Sequence, residues 1–409
     1  MKKDLLHTPE GFRDIYNGEC YQKKILEKNL HKVCHSYGYN DIETPTMEFF
    51  DVFNKERGSI PSNEMFKLFD KYGNTLVLRP DFTPSISRVA AKYFEDSVLP
   101  IKLCYQGNTF INDNKYYQGR LKENTVIGAE LINETSLEAD FEIIAMLIDC
   151  MKASGLKEFQ VEVGNVAYYN GLLHEANIDG EMAEELTNLI REKNYFGVEE
   201  LLNSLNINPD IKKILLELPQ LFGSVEILDR AKQLTINEEM TDAITHLQNL
   251  YKLLTDNGYD EYISFDLGSL SVHSYYTGII FSAYTFGMGR AVATGGRYDK
   301  LMGQFGQDKA SIGFSIIIDA VMAAIERQGI RLETTSESFL LVYSKNSYSV
   351  ALKKATKLRN EGIKTCIIKN NLSKNDADYL EYAKNAYLNK VIFIDDNGNE
   401  RECLWDILQ

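Results

Sequence analysis

No stretch of the 409 residues stays apolar long enough to cross a bilayer. The longest candidate, Gly313 to Ile325, is too short and carries Asp319. The opening Met1-Lys2-Lys3-Asp4 lacks the apolar run of a signal peptide, so a cytoplasmic location with no membrane contact is expected. Cysteines number six, at Cys20, Cys34, Cys104, Cys150, Cys366 and Cys403, with no C-x-x-C pair. That usage fits a reducing compartment in which thiols serve as small core residues. Basic residues are outnumbered, 44 to 59, leaving a formal charge of -15 and a pI of about 5.0. A surface that acidic repels phosphate backbones, which disfavours broad nucleic-acid binding unless a local basic patch overrides it. The P-loop, G-x-S-x-G and G-x-G-x-x-G patterns are all missing, and so are repeats and disordered tracts.

What is present is an ordinary globular composition, 44% hydrophobic and 25% charged, long enough for two or three domains. Apolar residues at Ile25, Leu26, Leu30, Val33 and Tyr37 recur at helical spacing, and Gly38 ends that helix. Residues 39–45 read as a short strand stopped by Pro45. Phe66–Phe69 and Thr75–Leu78 flank a turn at Tyr72-Gly73-Asn74, a hairpin pattern. Thr83-Pro84 opens a helix running to about Phe94. Strands are expected at 101–105, 125–132 and 159–163, and an amphipathic helix at 137–153. The block from about 170 to 255, rich in Leu, Glu, Asn and Lys, reads as an all-helical insertion with no strand pattern. Two β-rich runs, 278–284 and 291–293, flank Gly287-Met288-Gly289 as a hairpin, and Gly295-Gly296 then lets backbone approach something closely. Residues 313–328 read as a closing helix. From 338 onward strand and helix alternate, which predicts a small, mainly parallel α/β domain over 338–409 beside a larger domain over 1–330.

Several side chains invite a chemical reading. His31 and His35 stand at i, i+4 on one helix, a spacing that metal ligands use. The zincin glutamate is absent and no third ligand is evident, so they read as ordinary helix histidines and no metal is assigned. Asp81 sits between prolines at a helix start. Glu130 lies in an apolar strand, where an unpaired carboxylate is costly. It is either a structural ion-pair partner, Arg120 being one candidate, or part of a functional site. Tyr275 and Tyr276 would by default be sheet aromatics, one on each face.

Taken together, TPEGFRD at 8–14, GYNDIETP at 38–45, LRPDFT at 78–83, YQGNTF at 105–110 and GGRYDKL at 295–301 resemble histidyl-tRNA synthetase. The resemblance covers roughly residues 7–325. It implies an α+β fold: a class II aminoacyl-tRNA synthetase-like antiparallel sheet core with helices, a helical insertion, and a small C-terminal α/β domain resembling the anticodon-binding domain.

The departures from that family bear on function. The arginine that follows the phenylalanine of its second motif is Ile111 here. In the histidine-specific motif, aligned on Tyr275-Tyr276, the catalytic arginine is Ser271. The third motif's arginine is replaced by Ala320, after Asp319. Losing a cation that meets developing charge costs roughly 2.7–4 kcal/mol of transition-state stabilisation, so adenylate formation is expected to be lost and no catalytic residue is assigned. The amino-acid side is better kept. The resemblance puts Asp81 and Thr83 at the ammonium-binding positions, although Asp81 is one methylene shorter than the family's glutamate. It puts Glu130 and Tyr276 at the imidazole-binding positions, with Tyr275 beside them. Val126 replaces an ammonium-binding glutamine, and Arg120 is included as a cation that could compensate for Ser271. A kept histidine site without its ATP site looks like the regulatory-subunit family of ATP phosphoribosyltransferase. That resemblance implies a short-form catalytic subunit as partner and a homodimer within a hetero-octamer. It also implies L-histidine as effector, with no tRNA and no cofactor. The alternative is a divergent active histidyl-tRNA synthetase, with Lys115, Lys122 or Arg297 as replacement cations.

Overall fold

The computed structural model describes residues 6–53, 60–113, 121–270, 275–330, 332 and 337–404. The chain divides into two compact units, Met1–Phe12 with Leu26–Arg331, and Arg13–Ile25 with Leu332–Gln409.

The first unit is built on a nine-stranded sheet. Its order is Asn40–Asp41, Ile101–Phe110, Glu123–Ile132, Ser311–Ile317, Ala293–Arg297, Ile279–Thr285, Phe159–Asn165, Ile263–Asp266 and Phe222–Gly223. The six central strands pair antiparallel, from Ile101–Phe110 across to Phe159–Asn165. Parallel pairs flank them, Asn40–Asp41 on one side and Ile263–Asp266 on the other. Glu123–Ile132 is buried from Thr125 onward, which explains why TVIGAELI shows no polar alternation. On one face Phe82, Ile86 and Ala90, from the stretch that enters and forms the helix Thr83–Tyr93, pack against Leu103, Tyr105, Val126 and Ile132. The helices Leu137–Ala153 and Ile318–Arg327 also pack against the central strands.

Two expectations fail in this sheet, both for the same reason. Residues 313–328 are not one helix. Ser311–Ile317 is a central strand, and the helix begins only at Ile318. A short apolar run is compatible with either state, and sheet partners on both sides decide it. Gly295-Gly296 is likewise inside a strand rather than after one, because Ala293–Arg297 continues the hairpin. A Cβ on Gly295 would stand 2.4 Å from the carbonyl oxygen of Gly313.

The insertion comprises the helices Val166–Ala176, Gly180–Arg191, Tyr195–Ser204, Pro209–Glu217, Glu226–Gln233 and Glu238–Asp256. Part of its asparagine content is explained by capping. Asn165, Asn194, Asn208 and Asn237 each accept a backbone N–H at a helix start. Contrary to the sequence reading, the block also contributes a strand. Phe222–Gly223 pairs with Ile263–Asp266 at the sheet edge, too short to leave a period in the sequence.

The second unit carries a four-stranded sheet in the order Lys364–Lys369, Ser338–Tyr343, Lys390–Ile394 and Glu400–Leu404, of which the last alone is antiparallel. The helices Tyr348–Asn360 and Asp376–Asn385 contribute to two separate apolar clusters. Neighbouring residues of Ser338–Tyr343 alternate between those clusters, so both faces of the strand are covered.

Candidate functional site

Asp81 lies two residues before the first residue of the helix Thr83–Tyr93. Its Oδ1 accepts the backbone N–H groups of Phe82 at 2.6 Å and Thr83 at 3.3 Å. The segment is held from behind by Arg79, whose guanidinium donates to the carbonyls of Thr44 and Asn108 and lies 4.0 Å from the centre of the Phe82 ring. Thr83, on the first turn, donates from Oγ1 to Glu130 Oε1 at 2.7 Å. The other oxygen of Glu130 accepts from Tyr298 OH at 2.5 Å. Tyr275 OH donates to Asp81 Oδ2 at 3.3 Å. The rings of Tyr275 and Tyr276 meet edge to face at 4.8 Å, and those of Tyr275 and Tyr298 at 5.7 Å.

Two glycines make room for this arrangement. Gly313 lies opposite Glu130 in the sheet, and a Cβ there would fall 1.7 Å from Glu130 Oε2. A Cβ on Gly296 would fall 2.7 Å from the ring of Tyr276. That ring is the close neighbour which the glycine pair admits.

Together Asp81, Thr83, Glu130, Tyr275, Tyr276 and Tyr298 line one pocket, joined by Thr294 and Ser315 on adjacent strands. It has about 290 Å³ of empty space, its mouth included. Its electrostatics are one-sided. Glu130 is 1% exposed, and its hydrogen-bond partners are two hydroxyls. Burial pushes its carboxyl up to about 8 and the charge of Asp81 adds to that, against the opposing effect of the two hydroxyl bonds. Burial, and then the neighbouring carboxylates, raise the phenols of Tyr275, Tyr276 and Tyr298 well above their ordinary value. They therefore remain O–H donors at neutral pH. Two acidic side chains, three phenols and no cation among the described lining residues suit a small, positively charged molecule with hydrogen-bonding groups. They do not suit a phosphate.

Five of the six side chains singled out in the sequence, Asp81, Thr83, Glu130, Tyr275 and Tyr276, thus share one pocket, while Arg120 lies outside the described residues. Tyr275 and Tyr276 do not divide between two faces, since both line it. They precede the strand Ile279–Thr285 and escape its alternation. Tyr298 was missed, with Thr294 and Ser315. Period-two alternation through Thr294, Gly296 and Tyr298 was the available signal, hidden while the β-rich run was read as ending at Ala293.

Of the positions where the resemblance implies lost cations, Ile111 is half-buried, its N–H bonded to the carbonyl of Lys122, and Ala320 is buried inside a helix. Ser271 and Lys115 lie outside the described residues. Lys122 Nζ donates to Asn112 Oδ1 at 3.0 Å. Arg297 donates to Asp140 Oδ1 from both Nε and a terminal nitrogen, to the Glu134 carbonyl, and to Asp299. It is occupied in a buried ion pair and does not line the pocket.

Known proteins share this organisation. The histidyl-tRNA synthetase family model matches residues 11–321. The ATP phosphoribosyltransferase regulatory subunit of Acetivibrio thermocellus is 40% identical over 363 residues, 89% of this chain and 87% of that protein. Its counterpart in Ruminiclostridium cellulolyticum is 39% identical over 397 residues, 97% and 94% of the two chains. The chain belongs to the ATP phosphoribosyltransferase regulatory subunit family. Among solved structures, the ATP phosphoribosyltransferase regulatory subunit/histidyl-tRNA synthetase of Bacillus halodurans superposes with a TM-score of 0.83 at 32% identity. The match covers 96% of this chain and 98% of that one. The histidyl-tRNA synthetase of Nostoc sp. PCC 7120, 20% identical over 98% of this chain and 97% of that one, has a TM-score of 0.78 and shares the fold. This family's class II synthetase-like architecture is therefore present, with histidine biosynthesis as the process it implies. No helix of the described residues is long and apolar enough to cross a membrane.

Proposed function

We propose that the chain is a non-catalytic regulatory subunit that activates a short-form ATP phosphoribosyltransferase at the first step of histidine biosynthesis. L-histidine is the effector, and it binds in the pocket of Asp81, Thr83, Glu130, Tyr275 and Tyr276 to exert feedback inhibition. Arg120 is a further candidate contact. The working assembly is a cytoplasmic hetero-oligomer, a homodimer of this chain within a hetero-octamer, with no cofactor and no tRNA. One observation carries the reading: an acid-and-phenol pocket in a chain that has Ile111 and Ala320 at positions where the synthetase resemblance implies cations. The carboxylates suit the α-ammonium and one imidazole nitrogen, and phenols can satisfy the other. Coupling to a partner requires histidine to bind two states of the assembly with different affinity.

The test is reconstitution. The chain alone should show no histidine-dependent ATP–pyrophosphate exchange. Mixed with a short-form catalytic subunit it should switch on phosphoribosyl transfer, which histidine then suppresses. Glu130→Ala should raise the inhibitory histidine concentration at least about tenfold, the loss of a charge-assisted hydrogen bond, while activation persists. Absence of activation at every ratio refutes the regulatory role, and measurable exchange restores the synthetase reading. Unchanged inhibition in the variant moves the histidine site elsewhere.

A further inference from the structure

The two helix histidines are not isolated. His31 Nε2 lies 2.5 Å from Asp41 Oδ1, and His35 Nε2 lies 3.1 Å from Asp41 Oδ2. The Cys104 thiol points at the same carboxylate, Sγ to Oδ1 3.5 Å. All four donor atoms fall within 4.8 Å of one another. Three elements bring them together. The helix Asn17–Ser36 supplies the histidines one turn apart, with ring centres separated by 4.1 Å. The edge strand Asn40–Asp41 supplies the carboxylate. Ile101–Phe110 supplies the thiol from the position directly opposite, since Asp41 and Cys104 are register partners. The sequence shows no third ligand beside the histidines because Cys104 is distant in the chain and only sheet pairing places it next to Asp41.

We propose that His31, His35, Asp41 and Cys104 bind a single zinc ion. Donor atoms on a tetrahedron at zinc–nitrogen, zinc–oxygen and zinc–sulfur distances stand about 3.3–3.8 Å apart. The spread found here closes to that with side-chain adjustments of about an ångström. Two imidazoles and a thiol select zinc or a similar transition metal over magnesium or calcium, which prefer oxygen. Four protein ligands fill the coordination shell, so the site is structural. His35 and Asp41 are exposed while Cys104 is fully buried, which gives the ion a solvent entry and an anchoring thiolate at its base. Bound there, zinc would pin the two-residue edge strand of the large sheet to the helix that covers it.

The experiment titrates zinc alone into the full-length chain, stripped beforehand with a chelator, against a chromophoric zinc indicator. One ion per chain is expected. His31→Ala and His35→Ala, both outside the buried core, should each weaken binding by more than about a hundredfold, beyond what loss of an outer-sphere partner costs. Cobalt(II) should give a thiolate-to-metal charge-transfer band and intense tetrahedral d–d bands, with Cys104→Ser removing the charge-transfer band. The histidine variants keep the test decisive if that buried substitution does not fold. Substoichiometric zinc, affinity unchanged in the His31→Ala/His35→Ala double variant, or a cobalt complex without a thiolate band would overturn the proposal. The four side chains would then be a hydrogen-bonded cluster only.

Discussion

Two buried acids in the first unit have opposite surroundings. Asp140 is fully buried and meets two cationic or potentially cationic groups: Arg297 through two nitrogens, and His246 Nε2 at 2.7 Å. Glu130, equally buried, meets hydroxyls and another carboxylate. A buried charge whose partners are provided by the fold is a structural element. A buried acid that meets only hydroxyls and a second acid among the described residues has no such compensation, and that makes it a candidate for a functional site.

The largest effect that can break this comparison is in pH. Glu130 has an ordinary value near 4.5 and rises to about 8 in the fold. Between those limits the folded chain keeps a proton that the unfolded chain has lost. Stability is therefore fully present below the lower value and falls as pH rises through the upper one, by up to roughly 5 kcal/mol from this group. Urea denaturation of the wild type and Glu130→Gln across that range should differ in slope. Parallel curves would mean that Glu130 is ionised in the fold and that the contrast with Asp140 is false. Glu162, pushed up to about 7 by burial and then by Asp266, titrates in the same direction, so it is the difference between the two proteins that is diagnostic.

Next in size is Arg297→Ala. It leaves Asp140 buried with only His246, and should cost about 3–5 kcal/mol in chemical denaturation. A loss under 1 kcal/mol would show that the ion pair is not structural. The smallest effect is Thr83→Val, which removes one of the two hydroxyls on Glu130. A loss of about 1 kcal/mol at pH 6 is expected, with the Glu130 transition moving further upward because a bond favouring the ionised form is gone. A downward movement would assign the threonine the opposite role.

Much of the pocket was legible in one dimension. Asp81 and Thr83 are two residues apart at a recognisable helix start, and Glu130 is a lone acid in an apolar strand. Tyr298 was not legible, because it follows a strand that had been given the wrong end. The same error hid Gly313, whose strand was read as helix. Both depend on neighbours 150 or more positions away in the chain, and local periodicity cannot register those.

The sequence by itself determined the family, through motifs spread over 8–301. It also placed the helices Thr83–Tyr93 and Leu137–Ala153 to within about a residue, since propensity, capping and turn chemistry are local. Only the tertiary structure decided which carboxylate is compensated and which is not. It committed Arg297 to Asp140 rather than to a nucleotide, and it set Asp41 and Cys104 beside two histidines. Charge compensation and ligand convergence depend on distances through space, and those are settled when strands far apart in the chain pair in a particular register.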